Sequence, residues 1–448
     1  MNNALAQPTF FQRNRLLIKA FLVGVLVLVL LIPTIFIENL VSERQDRRVE
    51  VAREVSNKWS GEQTVTGPYL VIPYAYTNPG SKHETLTRNL YLLPDSLTIN
   101  AHIFPVTKAR SIYKVPVYSS DLTLEGKFDI LKSLEGIPIN NFHFNDARLC
   151  VGITDLKGIN EDISLKWNGI IFPFDTAPST DMVLTEGVST KLPLTADNIF
   201  AHHQFSMQVR LKGSEKMFFT PLGATTEVHM ESPWTNPAFD GKYLPDSHTI
   251  SSKGLVADWK ILHFNRNFKQ AFTNVNQAVL IHESGFGINF LEPVDAYVQT
   301  IRSIKYAILL ISLTFFLYFF IEILQRKSIH PLQYILVGFA LVVFYSLLLS
   351  ISEYTSFGIS YLISGLATIS LIGWYIKSIF SKWKIALIFS AVIGLLYLFI
   401  YILIQLQDYA LLFGTIGLFI LLASVMYFSR KVDWYSTGQE EMKPILQA

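Results

Sequence analysis

Charge is in short supply. Asp, Glu, Lys and Arg make up 16% of the 448 residues and half the chain is hydrophobic, whereas a soluble globular protein carries about 25% charged residues. The shortfall points to a membrane protein, divided into lipid-embedded and water-facing parts. Cysteine occurs once, at Cys150, which excludes an intramolecular disulfide framework and a Cys-based zinc cluster. Basic residues exceed acidic ones only as 37 to 35, so no nucleic-acid surface is expected. Low-complexity runs, solenoid repeats and long flexible linkers are missing. So are G-x-S-x-G, the P-loop and H-E-x-x-H, which removes the usual marks of hydrolases and nucleotide-driven machines. The sequence therefore predicts no enzyme, no cofactor and no metal.

Long apolar runs are what the chain does have. A helix needs about 20 mostly apolar residues to cross the hydrocarbon core. Six stretches qualify: Ala20 to Ile37, Tyr306 to Ile323, Leu332 to Ser352, Phe357 to Ile376, Ile385 to Ile404 and Tyr409 to Phe428. The first follows Arg13, Arg15 and Lys19, exceeds a signal-peptide core in length and lacks an A-x-A cleavage pattern, so an uncleaved signal anchor fits it better than a cleaved leader. The expected organisation is a cytoplasmic tail (1–19), the anchor (20–37), a large outer domain (38–304), a five-helix bundle (305–429) and a second cytoplasmic tail (430–448). Loop charges set the direction, because Lys and Arg near span ends are retained in the cytoplasm. Arg326 and Lys327, then Lys377, Lys382 and Lys384, then Arg430 and Lys431 alternate with turns that contain no Lys or Arg, Glu353 to Ser356 and Gln405 to Asp408. Both termini are thus expected in the cytoplasm and the large domain in the periplasm of a bacterial inner membrane. Arg44, Arg47 and Arg48 run against this pattern, but they are interleaved with acids and belong to a long domain that the rule weights weakly.

Between the first two spans the composition becomes that of a β-rich domain, punctuated by Pro and Gly. Phe205, Met207, Val209 and Leu211 alternate with Ser206, Gln208, Arg210 and Lys212, the period of a half-buried strand. Gly213-Ser214 then reads as a two-residue turn, with Lys216 to Thr220 returning as the hairpin partner. Leu97, Ile99, Ala101 and Ile103 alternate in the same way. Tyr69 to Tyr76, Arg148 to Ile153, Ile163 to Trp167, Thr225 to Glu231 and Val256 to His263 complete the clearest strands. Antiparallel sheets packed as one or two sandwiches are expected. Helical links to the membrane are expected at Val41 to Val55 and Pro293 to Lys305.

The string from His330 to Glu353, HPLQYILVGFALVVFYSLLLSISE, resembles the CreD family of bacterial inner-membrane proteins. Similar family elements are Asn57 to Gly61 with Thr66 to Leu70, Ile153 to Gly158, Phe219 to Gly223, Trp234 to Phe239, and Pro293 to Tyr297 ahead of Lys305-Tyr306. Each is weak alone, and their order and spacing together are specific. The resemblance implies a role in cell-envelope integrity and a functional link to a two-component system of the CreBC envelope-stress type. It supplies neither catalytic residues nor a mechanism.

Ionisable residues in or beside spans are the candidate functional positions. Glu322 lies one helical turn before Arg326, so an i,i+4 pair at the interface explains it without transport. His330 precedes Pro331 and can cap a helix, or join Glu322 in a proton relay. Glu353 and Asp408 read as solvated span ends, the alternative being a buried acidic pair. Ser360 with Ser364 and Gly414 with Gly417 suit close helix packing. In the outer domain, His202-His203 lacks further ligands at recognised spacing. Trp59, Trp167, Trp234 and Trp259 suit core packing better than a sugar-binding face. The partners expected are the bilayer and a periplasmic protein, glycan or lipid ligand. The alternative reading is a transporter or lipid-handling protein that uses the helix bundle.

Overall fold

The structure, a computed structural model, describes residues 15–77, 85–130, 138–177, 183, 186–290, 296–406 and 409–430. Its first element is one helix of 45 residues, α1 (Arg15–Trp59), which runs through Pro33 and past the apolar anchor into a charged extension. The expected link Val41 to Val55 is therefore the second half of the same helix.

Two compact units follow from the contacts, Arg48–Pro293 and the remainder. The first is β-rich. One sheet holds β1 (Gln63–Thr77), β2 (Thr85–Leu92), β5 (Arg148–Ile153), β8 (Asp175–Thr176), β9 (Gly187–Lys191), β11 (Lys216–Phe219), β13 (Ala238–Gly241), β16 (Ala271–Phe272) and β17 (Phe286–Asn289). The other is ordered β14-β15-β12-β3-β4-β10-β6-β7 and contains β3 (Ser96–Arg110), β4 (Tyr113–Phe128), β6 (Ser164–Trp167), β7 (Ile170–Pro173), β10 (His203–Ser214), β12 (Thr225–Ser232), β14 (Ser247–Ser251) and β15 (Gly254–Leu262). The predicted alternations are realised: Leu97, Ile99, Ala101 and Ile103 on β3, and Phe205, Met207, Val209 and Leu211 on β10, are all buried in one core cluster. Full burial of such a side chain is worth roughly 1.5–3 kcal/mol, which fixes the register of each strand.

Two expectations are revised. The sheets are mixed rather than antiparallel, because β1 pairs with β11 and β3 with β12 in parallel. The hairpin after Val209 does not form either. β10 ends in the eight-stranded sheet beside β4, while β11 joins the nine-stranded sheet between β1 and β17. The chain changes sheet at Glu215, which takes a left-handed φ of 60°. Gly213 serves a close approach instead of the turn, since a Cβ there would run into the Tyr118 ring and Gln63. A short helix, α2 (Val275–His282), is capped by the Asn274 side chain, which accepts from the Asn276 amide.

The second unit contains α3 (Ala296–Lys305), α4 (Ala307–Gln325), α5 (Pro331–Ser352), α6 (Phe357–Phe380), α7 (Trp383–Gln405) and α8 (Ala410–Ser429). Among the described residues, α1 and helices α4 to α8 are six helices long and apolar enough to cross a membrane. α5 packs on α6 and α6 on α7, α3 touches α4 through α7, and α8 leans on α7. Small residues make the close contacts: Ser360 and Ser364 are fully buried, and a Cβ on Gly417 would enter the Phe399 ring.

Candidate functional site

The polar groups of the bundle gather first at the end where α4 hands over to α5. α4 closes with Arg326 in the left-handed region, φ 48°, and the chain turns back on itself. His330 caps α5: its Nδ1 accepts from the Leu332 amide at 3.2 Å, and Gln333 Oε1 accepts from the His330 amide at 3.2 Å. The turn delivers the Ile329 amide to Glu322 Oε1 at 2.9 Å, and the Tyr334 hydroxyl donates to Oε2 at 2.7 Å. Lys19 of α1 completes the set, with its ammonium bonded to Glu322 and to the Ile329 carbonyl. Glu322 is buried, and these three donors compensate its desolvation. The expected i,i+4 partner was Arg326, yet these partners come from α1, the turn and α5. Tyr318, one helical turn before Glu322, packs its ring against Tyr334, with centroids 4.6 Å apart and planes tilted by 48°.

Glu353 follows the far end of α5. Its side chain is only 12% exposed and lies 3.6 Å from the guanidinium of Arg44 on α1, itself 46% exposed, so the span end carries a half-buried ion pair. Asp408 lies outside the described residues. His330 is exposed and acts as a cap. Near Glu353, Thr355 and Ser360 share a 2.8 Å hydrogen bond, and Gln299 of α3 reaches Gln405 at 3.5 Å.

In the β unit, two separated stretches of the family pattern meet. The Gly61 amide and the Ser60 hydroxyl donate to Asp155 Oδ2 at 2.9 and 3.2 Å, and the Lys157 amide donates to Oδ1 at 3.0 Å. Burial pushes this carboxyl up, but the amides, the hydroxyl and the Lys157 charge together outweigh it and hold the acid below its ordinary value. Gln63, fully buried, donates to Ser60, to the Asp155 carbonyl and to the Lys212 carbonyl, and accepts from the Asp155 amide. A third stretch, Phe219 to Gly223, is fastened by buried Arg266, which donates to the Leu222 and Gly223 carbonyls at 3.1 and 3.2 Å. Burial pushes that guanidinium down to about 10.

The outer face of the eight-stranded sheet carries linked charges. His229 meets Asp258 at 2.6 Å through Nδ1 and Glu231 at 3.2 Å through Nε2, while His102 meets the other Glu231 oxygen at 3.2 Å. Ser247 donates to Asp258 at 2.9 Å. Two carboxylates facing both ring nitrogens favour the imidazolium, because a neutral ring has one N–H to give. The hydrogen bond with Asp258 accordingly raises the His229 pKa. Further along the face, Arg210 pairs with Glu161 at 2.5 Å and Asp121 at 3.3 Å, beside a shallow groove of about 270 Å³ that also contacts Phe104, Ser119 and Asn160.

His203 is buried, stacked on Trp167 at 5.0 Å and bonded to Asn168, and burial pushes its pKa down. His202 points the other way into solvent. Among the described residues, no three His, Cys, Asp or Glu side chains assemble as a metal centre. The tryptophans take separate places. Trp167 and Trp259 are in the core, Trp59 donates to the Tyr118 carbonyl, and Trp234 donates to the Asn236 carbonyl. Sequence reasoning missed Lys19, Tyr318 and Tyr334 as partners of Glu322. It also missed the sheet-face network, whose signal was the polar phase Glu227, His229, Glu231.

Comparison with known proteins matches nearly the whole chain. The family model described as Inner membrane protein CreD matches residues 15–435. The chain is also 32% identical over 424 residues, 93% of each chain, to a protein of Escherichia coli (strain K12) named Inner membrane protein CreD. The chain belongs to the CreD family of inner membrane proteins.

Proposed function

We propose that this inner-membrane protein is a non-enzymatic envelope component. In this reading its termini are cytoplasmic, and its β domain lies in the periplasm, where it binds or senses an envelope component or partner protein. The observation that carries the reading is the outer face of the eight-stranded sheet, a broad polar surface with the Phe104–Arg210 groove beside linked charges. Such a surface suits a polar ligand held by several charge-assisted contacts. The orientation is supported by the basic residues Lys19, Lys327, Lys377 and Lys382 near the Glu322 end of the bundle. The contribution to envelope integrity, and a functional link to a CreBC-type two-component system, rest on family resemblance.

Two labelling experiments on the whole protein test it. With Cys150 replaced, cysteines at Ser328 and Ser381 should resist an impermeant thiol reagent in spheroplasts, and cysteines at Ser251 and Ser356 should react; the reverse pattern sinks the orientation. A photo-cross-linking amino acid at Phe104 should then capture a discrete protein, glycan or lipid adduct. The binding reading fails if capture there never exceeds that at exposed Lys191.

A further inference from the structure

Buried hydroxyls run the length of the bundle. On α4, Thr314, Tyr318 and Glu322 stand at i, i+4 and i+8 and therefore on one face. On α6, Ser360, Ser364 and Thr368 repeat that spacing, and all three are buried. Tyr334 and Tyr345 of α5 and Tyr397 of α7 are also buried. The hydroxyls of Thr314, Tyr318, Ser364 and Tyr397 are buried and make no hydrogen bond of normal geometry with any described residue. An unpartnered polar group in a low-dielectric interior is costly, so four of them in one bundle require an explanation beyond packing.

Their heights supply one. Counted at about 1.5 Å per residue from the helix ends nearest Lys19, Glu322 and Tyr334 lie at about 5 Å, Tyr318 at about 10 Å, Thr314 at about 16 Å, Thr368 at about 18 Å, Tyr345 and Tyr397 at about 21 Å, Ser364 at about 24 Å and Ser360 at about 30 Å. Successive heights differ by no more than about 6 Å along the helix axes, so the hydroxyls form a graded series from one end of the bundle to the other. Water, which spans about 5.6 Å through two O–H···O bonds of about 2.8 Å each, is the bridge such a series would use between neighbouring helices. The series ends in carboxylates, Glu322 at one face and Glu353 at the other, each paired with a cation of α1, Lys19 or Arg44.

We propose that the bundle interior holds a file of water and conducts protons between Glu353 and Glu322. In each step an oxygen accepts a proton on a lone pair and releases its own to the next oxygen, so every hydroxyl and water ends neutral. Glu322 gains the arriving proton as a carboxyl and returns it to bulk water as the carboxylate. This activity is independent of what the β domain binds.

The test is proton flux into vesicles of phosphatidylethanolamine and phosphatidylglycerol containing the full-length protein, an entrapped pH dye and valinomycin to balance charge, after an external acid step. Wild type should equilibrate at least about tenfold faster than protein-free vesicles, as a relay predicts. The Tyr318→Phe, Tyr397→Phe double variant, which keeps both rings, should fall to near the lipid background while retaining its melting temperature. If that variant fails to fold, Thr314→Val and Ser364→Ala carry the same expectation singly. Wild-type flux equal to that of lipid alone, or undiminished flux in folded variants, overturns the proposal.

Discussion

The two units place their polar residues in opposite ways. In the β unit the strands send Leu97, Ile99, Val209 and Leu211 inward, and Arg210, Glu227 and His229 out to water. In the bundle apolar side chains lie on both sides, with Leu395 66% exposed, Leu362 61% and Phe339 48%, while the polar Tyr318, Thr314, Ser364 and Thr368 are buried along with apolar Phe315 and Leu341. Lipid is as apolar as leucine, so hydrophobic burial does not sort the faces of a span, and packing and hydrogen bonding do. Burial thus carries different energies in the two units, and each side of the contrast can be tested.

The largest effect belongs to the β core. Phe219 is fully buried on β11, and Phe219→Ala should cost about 3–5 kcal/mol through lost transfer energy plus a cavity. The loss should appear as an earlier unfolding transition of the fluorescence of core residues Trp167 and Trp259. A loss below that of Glu322→Ala would break the comparison.

In the bundle the polar contacts should dominate. Glu322→Ala leaves Lys19, the Ile329 amide and the Tyr334 hydroxyl without their acceptor, and should cost about 2–4 kcal/mol. The pair Lys19→Met, Glu322→Met should recover much of that loss, because replacing both ions with apolar groups of similar size is often close to neutral. Thermal denaturation of the detergent-solubilised protein reads both, and a double variant no better than the single would show that the ammonium and carboxylate do not act as a pair.

A smaller effect separates the units by pH. The His229 pKa is raised, chiefly by its hydrogen bond with Asp258. Its stabilising contribution is therefore complete below the ordinary histidine value of about 6.5 and is lost as pH rises through the higher folded value. Because the side chain is 38% exposed, solvent screening keeps the contribution under about 1 kcal/mol. His229→Gln should remove this slope from the unfolding midpoint of the β unit and leave the midpoint above the window nearly unchanged. An identical slope in the variant would assign the pH dependence elsewhere.

The same contrast governs how far the sequence could be read. Alternation at period two located the first half of β3 and most of β10, the strand readings at β5 and β12 matched nearly to the residue, and apolar length located every span. The path of the chain between sheets was hidden, because Gly213-Ser214 has the composition of a hairpin turn and the reversal depends on Glu215 adopting a left-handed conformation. The parallel pairing of β3 with β12 joins strands more than a hundred residues apart, and no local pattern announces it. Glu322 stood out as an acid in a span, but Lys19 lies 303 residues away. Its part in the site was legible only as the last cation before the anchor.

The smallest effect is the most discriminating, because it asks whether the exposed apolar surface of the bundle stabilises the fold at all. Leu395 and Tyr397 are two residues apart on α7, one 66% exposed and the other 3%. In water, an exposed leucine turned to alanine changes little because it was never buried. In a bilayer the reason differs: lipid tails fill the space the side chain leaves, so no dry cavity forms. Leu395→Ala should therefore shift stability by less than about 0.5 kcal/mol, the usual range for surface substitutions, both in detergent and in lipid nanodiscs. A loss of more than about 2 kcal/mol, the scale of a buried Leu→Ala change, would mean that a protein surface covers that face of α7, and the inside-out description of the bundle would then apply to an assembly larger than one chain.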